Sequence, residues 1–533
     1  MGSTDAGKMK MGRAIWLSAA TMTSRVLGLV RDQLFAALVG ANRWSDAFVV
    51  AFRIPNLLRD LFAEGALSSA FVPTFADAHA RRGKEEAYRL ANALVGVVLL
   101  VVGAVVIAGL LAAPAIVRLL APGFGPEEAE FAAFLTRIMM PFLLLVSLSA
   151  VAMGMLNAQS RFTAPALAPA LFNVGAIAVG VWLWATGQGP RAAAVGWSVG
   201  TLVGGAMQLA AQWPSLRTLG FRLRPRFGRP ALADPGIRRI GRLMGGAVIG
   251  LSATQVNILV NTIFASHEVG ANTWLQMAFR LMQLPLGVFG VAIATVAGAG
   301  VAQRVAAGDM NGVRDTLGSA MRLVAFLNVP AAVGLIVLAH PIISLVYEHG
   351  RFGATDASAT ADALVFYAVG LYGYSAVKVF APAFYALDEV RIPVLGSIVG
   401  MVSNVVLVLA LHPVLGFRGI ALGTALAATA NFAVLASAWK WRHGGLGAAG
   451  IYRQLARTLV AAAVMAGVVL ATRWGLSTRL PASGLGRQAP LALLPIAAGA
   501  LAYFLAARAL GVKELGEVAS ALRRGRRNGT VAR

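Results

Sequence analysis

Apolar residues run along this chain in blocks long enough to cross a bilayer, separated by short polar breaks. A helix needs about 20 such residues to span hydrocarbon. Fourteen blocks meet that length, near 14–39, 46–78, 88–121, 127–157, 161–187, 191–213, 239–266, 272–304, 313–347, 357–387, 392–413, 416–440, 453–475 and 488–511. The pattern predicts an all-α polytopic membrane protein with about fourteen transmembrane helices. The second and eighth blocks are amphipathic and carry the weakest hydropathy of the set.

Composition agrees. Of 533 residues, 58% are hydrophobic and 13% charged, against roughly 45–50% and 25% in soluble domains. The net charge of +24 sits in loops and follows membrane topology rather than nucleic-acid binding. Lys8, Lys10 and Arg13, Arg81 to Arg89, Arg217 to Arg239, Lys440 and Arg442, and Arg523 to Arg527 all fall on one side of an even number of spans. The bias of Lys and Arg toward cytoplasmic loops puts that side, with both termini, in the cytoplasm. Absence of cysteine excludes disulfides and thiolate chemistry. The basic start runs into the first span with no small-residue cleavage site, which predicts an uncleaved helix.

The exceptions to apolarity matter most. Residues 21–75 hold Arg25, Arg31, Asp32, Asp46, Arg53, Arg59, Asp60 and Glu64 within two spans. A charge at membrane depth costs roughly 2.5–3.5 kcal/mol even on the mildest scale, so it normally faces a bundle interior or a wet cavity. Seven-residue spacing places Arg25 with Asp32, and Arg53 with Asp60, on common helical faces. Guanidinium groups on such faces suit phosphate or carboxylate, because the planar fork donates two hydrogen bonds and keeps its charge. Snorkelling to headgroups accounts for one or two of these arginines and poorly for four.

The chain also repeats. AFRIPNLLRDLFAEGALSS (51–69) aligns with AFRLMQLPLGVFGVAIATV (278–296), 227 residues on, and Pro114 and Pro341 share that offset. Two six-helix halves that start on the same side imply parallel repeats about an axis along the membrane normal. The expected organisation is an N-lobe of helices 1–6 (1–213), a basic cytoplasmic linker (214–237), a C-lobe of helices 7–12 (238–442), helices 13–14 (443–511) and a basic cytoplasmic tail (512–533). The linker alternates Arg with Leu and Phe, as an interfacial segment on anionic lipid would. The repeat sets Arg280 opposite Arg53 in register. Lys378 adds a cation near the middle of the tenth span.

Several motifs carry little. GWSVG (196–200) lies inside a span without the strand a nucleophile elbow requires. GLGAAG (445–450) likewise follows no strand. The histidines show no ligand spacing, and no metal or cofactor site is expected. Gly196, Gly200 and Gly204 read as close-packing positions, and Asn404 and Thr424 as polar contacts between helices.

At TSRVLGLVRD (23–32), SDAFVVAFRIPNLLRDLFAEGALSSAFVP (45–73) and FRLMQLPLGVFGVAIAT (279–295) the chain closely resembles the lipid II flippase family MurJ, also called MviN. LAPGFG (120–125), LNAQSRFTAPALAP (156–169) and KVFAPAFYAL (378–387) continue the resemblance over essentially the whole chain. It implies a fold of the multidrug, oligosaccharidyl-lipid and polysaccharide exporter superfamily, with two six-helix pseudo-symmetric lobes, a central cavity, and helices 13–14 forming a lipid groove. It further implies that Arg25, Arg31, Arg59 and Arg280 contact substrate, with Asp32, Asp46, Glu64 and Lys378 as further charged positions. Where many relatives carry Asp or Asn before the arginine of the eighth span, this chain has Phe279, and Gln283 stands where some have Glu. The implied function is transfer of lipid II from the inner to the outer leaflet of the bacterial inner membrane by alternating access, without catalysis. Lipid II, membrane lipids and cell-wall synthesis proteins are the implied partners. Another exporter of the superfamily and a polyprenyl-dependent membrane glycosyltransferase are the alternatives. Four arginines argue against an organic-cation site, and short outer loops against an acceptor-binding domain.

Overall fold

A computed structural model describes residues 2–60, 67–446, 451–480 and 484–516, and among these every regular element is helical. The chain divides into two compact units, Met1–Thr273 with His349–Phe352, and Trp274–Glu348 with Gly353–Arg533.

Unit 1 contains α1 (Gly2–Val39), α2 (Arg43–Leu58), α3 (Ser68–Arg82), α4 (Lys84–Leu120), α5 (Pro126–Met139), α6 (Phe142–Ala158), α7 (Thr163–Ala185), α8 (Pro190–Ala210), the short α9 (Trp213–Thr218) and α10 (Arg229–Leu232), and α11 (Pro235–Ala265). Local chemistry sets the boundaries. Asn42 opens α2: its side chain accepts from the Trp44 and Ser45 amides, and the Ser45 hydroxyl answers the Asn42 amide. Gly83, at φ +85°, turns the chain between α3 and α4. Small residues let α7 and α8 touch: a Cβ on Gly204 would lie 2.6 Å from the Phe172 carbonyl oxygen, and one on Gly175 would lie 3.0 Å from the Gly204 Cα. Ser198, inside the G-x-S-x-G match, is buried and its hydroxyl donates to the Ala194 carbonyl at 2.9 Å. The core of the unit gathers Phe71, Phe75, Leu94, Phe142 and Phe172.

Unit 2 follows with the rest of α12 (Ala271–Pro285), a π-helical turn at Leu286–Gly290, α13 (Val291–Ala306), α14 (Met310–Val337), α15 (Ala339–Tyr347), α16 (Ala354–Ala368), α17 (Leu371–Ala386), α18 (Arg391–Leu415), α19 (Phe417–His443), α20 (Ile451–Ser477) and α21 (Leu485–Ala509). One core packs α13, α14, α17 and α19 around Phe380, Phe384 and Trp439; another packs α20 and α21 on α14. The second has a specific fastening. Pro330 within α14 has no N–H to offer the Phe326 carbonyl, and the Tyr503 hydroxyl from α21 donates to that oxygen at 2.6 Å.

The internal repeat is visible in the element boundaries. The α-helical hydrogen bonding of α2 gives way to a π turn at Arg59, and that of α12 does so at Leu286, 227 residues later. Leu120 ends α4 and Tyr347 ends α15, at the same offset; Ala158 and Ala386 end α6 and α17, one residue further apart. Among the described residues ten segments are long and apolar enough to cross a membrane, eleven when α16 and α17, bent by 44°, are taken as one. The three other expected spans fall on α1, on α2 with α3, and on α11; charged residues interrupt the apolar run in the first two, whereas in α11 Arg238, Arg239 and Arg242 precede it.

Candidate functional site

The cationic stretch of unit 1 is positioned by two contacts. The Asn173 amide on α7 donates to the Ser24 carbonyl of α1 at 3.0 Å, and Gly28 packs against the same side chain. One turn beyond, the Arg31 guanidinium lies 5.5 Å from the Phe172 ring centre, a cation–π contact. Arg25, on α1, is exposed.

Asp32 and Asp60 are each bonded to the arginine directly before them. Arg31 meets Asp32 Oδ1 through Nη2 at 2.8 Å and Nε at 3.1 Å. Arg59 meets Asp60 Oδ1 through the same two nitrogens at 2.9 and 3.3 Å. Side-chain exposures are 15% and 18% in the first pair and 24% and 32% in the second. Both pairs are therefore reachable yet partly desolvated, the setting in which an ion pair is neither screened away nor locked. Arg53 is half-buried on α2. Glu64 lies outside the described residues.

Asp46 is placed differently. It is 1% exposed, and its carboxylate accepts from the Gly270 amide at 2.6 Å, the Thr273 amide at 2.9 Å and the Thr273 hydroxyl at 2.7 Å. Thr273 Oγ1 also lies 2.9 Å from the Ser45 hydroxyl. The first-turn amides of a helix have no intrahelical partner, and the local dipole favours a negative charge there. Asp46 thus caps α12 from α2.

In unit 2, Arg280 is half-buried on α12 and Lys378 is exposed on α17. Phe279 packs edge-on against Tyr367 at 5.2 Å and Tyr374 at 6.3 Å. The Tyr374 hydroxyl donates to the Thr424 carbonyl at 3.2 Å. An aromatic cluster occupies the place where the resemblance allowed an acid, and Gln283 is exposed.

Reading the sequence missed the direct partnership of Asp60 with Arg59; the recurrence of Arg-Asp at 31–32 and 59–60 was the available signal. The Gly270 and Thr273 donors to Asp46, more than two hundred residues away in sequence, left none.

The helical order, its repeat and the bent apolar pair α16–α17 define a class of polytopic membrane fold. An inward-facing multidrug resistance MATE family transporter of the MOP superfamily superposes with a TM-score of 0.67 over 81% of this chain and 98% of its own, at 16% identity. Within that class the chain belongs to the lipid II flippase MurJ family, whose model matches residues 35–479. A probable lipid II flippase MurJ from Rhizobium meliloti (strain 1021) is 36% identical over 97% of both chains. The lipid II flippase MurJ of Burkholderia cenocepacia is 34% identical over 86% of this chain and 90% of its own. A solved lipid II flippase MurJ in an inward closed conformation matches with a TM-score of 0.77, covering 92% of this chain and 98% of its own at 25% identity.

Proposed function

We propose that this protein moves lipid II, an undecaprenyl-diphosphate carrying a sugar-peptide head, from the inner to the outer leaflet of the bacterial inner membrane by alternating access. The observation that carries the reading is the pair of arginine–aspartate couples, Arg31–Asp32 and Arg59–Asp60, set in two helices of one unit. A diphosphate cannot enter hydrocarbon without compensating charge. Arginines supply that charge, and a carboxylate already bonded to each one competes with the phosphate, so binding is moderate and release is possible. Membership in a flippase family supports transport rather than catalysis.

Arg25, Arg31, Arg59 and Arg280 are the proposed contacts of the diphosphate, with Lys378 as a further cation and Glu64 as a further acid. Asp32 is assigned the competing role, and Asp46 the holding of the α12 start. The proposed organisation keeps residues 1–213 and 238–442 as repeated lobes, 443–511 as the lipid groove, and 214–237, 512–533 and both termini in the cytoplasm. Proteins of cell-wall synthesis are the proposed partners.

Charge reversal at Arg31 and Arg59 tests the reading. Variants at normal abundance should fail to complement depletion of the protein and should leave lipid II hidden from an external probe. Unchanged exposure of lipid II in cells depleted of the protein would sink it.

A further inference from the structure

Between Pro214 and Ala233 the chain contains five arginines and no acidic residue. The structure lays the central part of this stretch as an extended strip along α4. Its start is anchored: Phe221 is buried edge-on against Tyr88 with ring centres 5.3 Å apart, and the Tyr88 hydroxyl donates to the Leu219 carbonyl at 2.9 Å. One asparagine then fixes three successive points. Asn92 Nδ2 donates to the Arg222 carbonyl at 3.1 Å, Asn92 Oδ1 accepts from the Arg224 amide at 2.7 Å, and the Asn92 carbonyl accepts from the Arg226 amide at 3.1 Å. Gly96, one turn on, leaves room for the strip; a Cβ there would collide with the Arg226 carbonyl.

This binding holds the backbone and leaves the side chains outside. Arg222, Arg224 and Arg226 are exposed, and alternation in an extended chain puts them on one side. Leu223 and Phe227, on the other, are 46% and 52% exposed. Three nearby acids are engaged elsewhere: Asp77 with Arg81 and Arg239, Glu86 with Arg89, and Asp234 at the start of α11. The strip's position is equally telling. Gly96, Leu100, Ile107 and Leu111 share a face of α4, and the last three are 48%, 59% and 78% exposed. Uninterrupted exposed aliphatics along an apolar span form the surface that hydrocarbon covers. The strip ends where that surface begins, about 6 Å of helix rise before Leu100.

We infer that residues 222–227 form a preorganised site for the headgroups of anionic phospholipid, with the arginines at phosphate level and Leu223 and Phe227 dipping among the upper acyl carbons. A cation beside an anionic leaflet improves association roughly fivefold. Prior fixation by Asn92 removes the ordering cost that a free basic loop would meet. The inference uses none of the proposed diphosphate contacts and stands whether or not lipid II is the cargo.

Absence of native cysteine makes the test clean. The full-length protein, with Phe227→Cys carrying an apolar fluorophore, is placed in vesicles of mixed phosphatidylcholine and phosphatidylglycerol. Nitroxide-labelled versions of the two lipids are then compared as quenchers at equal mole fraction. Quenching by labelled phosphatidylglycerol should exceed that by labelled phosphatidylcholine about threefold, and the excess should shrink in 1 M salt, where the screening length is about 3 Å. Adding Arg222→Gln, Arg224→Gln and Arg226→Gln should bring the two lipids to parity. Asn92→Ala should lower the excess although every arginine remains. Equal quenching in the otherwise native chain overturns the inference, as does an excess that survives the triple change or stays undiminished in Asn92→Ala. Absence of quenching by either lipid also overturns it, and points to an acidic protein or nucleic acid in the aqueous phase.

Discussion

Replacing Asp46 by alanine separates a cap from a ligand. The carboxylate is 1% exposed and takes two backbone amides and one hydroxyl. Alanine strands the Gly270 and Thr273 amides, while the Thr273 hydroxyl keeps Ser45 at 2.9 Å. A buried donor left without a partner costs about 1–3 kcal/mol, so the two amides together cost roughly 4 kcal/mol. At about 2 °C per kcal/mol for a large domain, the thermal midpoint in detergent should fall by roughly 8 °C. Asparagine retains one acceptor oxygen and should lose about half as much. Tryptophan fluorescence during heating gives the midpoints. Lipid transport in vesicles, normalised to folded protein well below both midpoints, gives the second axis. Near-normal transport with a lowered midpoint is the expected result. An alanine variant that melts like the native chain but no longer transports would show that the carboxylate meets the cargo, and the capping argument would be wrong.

Asp32→Asn removes the carboxylate that competes for Arg31 and should tighten binding of undecaprenyl diphosphate about fivefold, the equivalent of roughly 1 kcal/mol for a partly exposed pair; titration in detergent showing equal or weaker binding would refute it. Gly204→Ala sets a Cβ 2.6 Å from the Phe172 carbonyl oxygen and should destabilise unit 1 by about 1–3 kcal/mol. Gly103→Ala, with no atom within 4 Å, serves as the neutral control in the same melting experiment. Glu514, 1% exposed, accepts from Arg322 at 2.9 Å and from Gln454. Its loss should cost about 3 kcal/mol and expose α20 and α21 to protease, while Arg322→Met with Glu514→Leu should recover most of the stability.

The helix order could be read from apolar block length, since a polypeptide in hydrocarbon must satisfy its own backbone. The repeat could be read as well, because Pro114 and Pro341 preserve their spacing, and the ends of α4 and α15 reproduce it. Partnerships were harder. Asp32 and Asp60 share helical faces with Arg25 and Arg53 by periodicity, yet both bond their immediate neighbours, because a long arginine side chain can curl over to the short carboxylate next to it. Asp46 looked like a cavity acid since membrane-depth carboxylates usually are; its donors lie at the entry to a helix that begins 225 residues later. The Asn92 clamp was illegible for the same reason, its partners being about 130 residues away. The basic strip itself was visible as a composition, without its backing.

The π turn between α12 and α13 has a consequence for editing the chain. Each residue advances an α-helix by about 100°, and a π turn accommodates one residue more than the regular ladder. Shortening Leu286–Gly290 by one residue would therefore let the regular ladder run through while the downstream segment kept its heading. Removing one residue from the middle of α13 would instead swing every later side chain on that helix about a quarter-turn out of alignment. A deletion scan across 280–300 would accordingly find a single island of tolerance, centred on the turn.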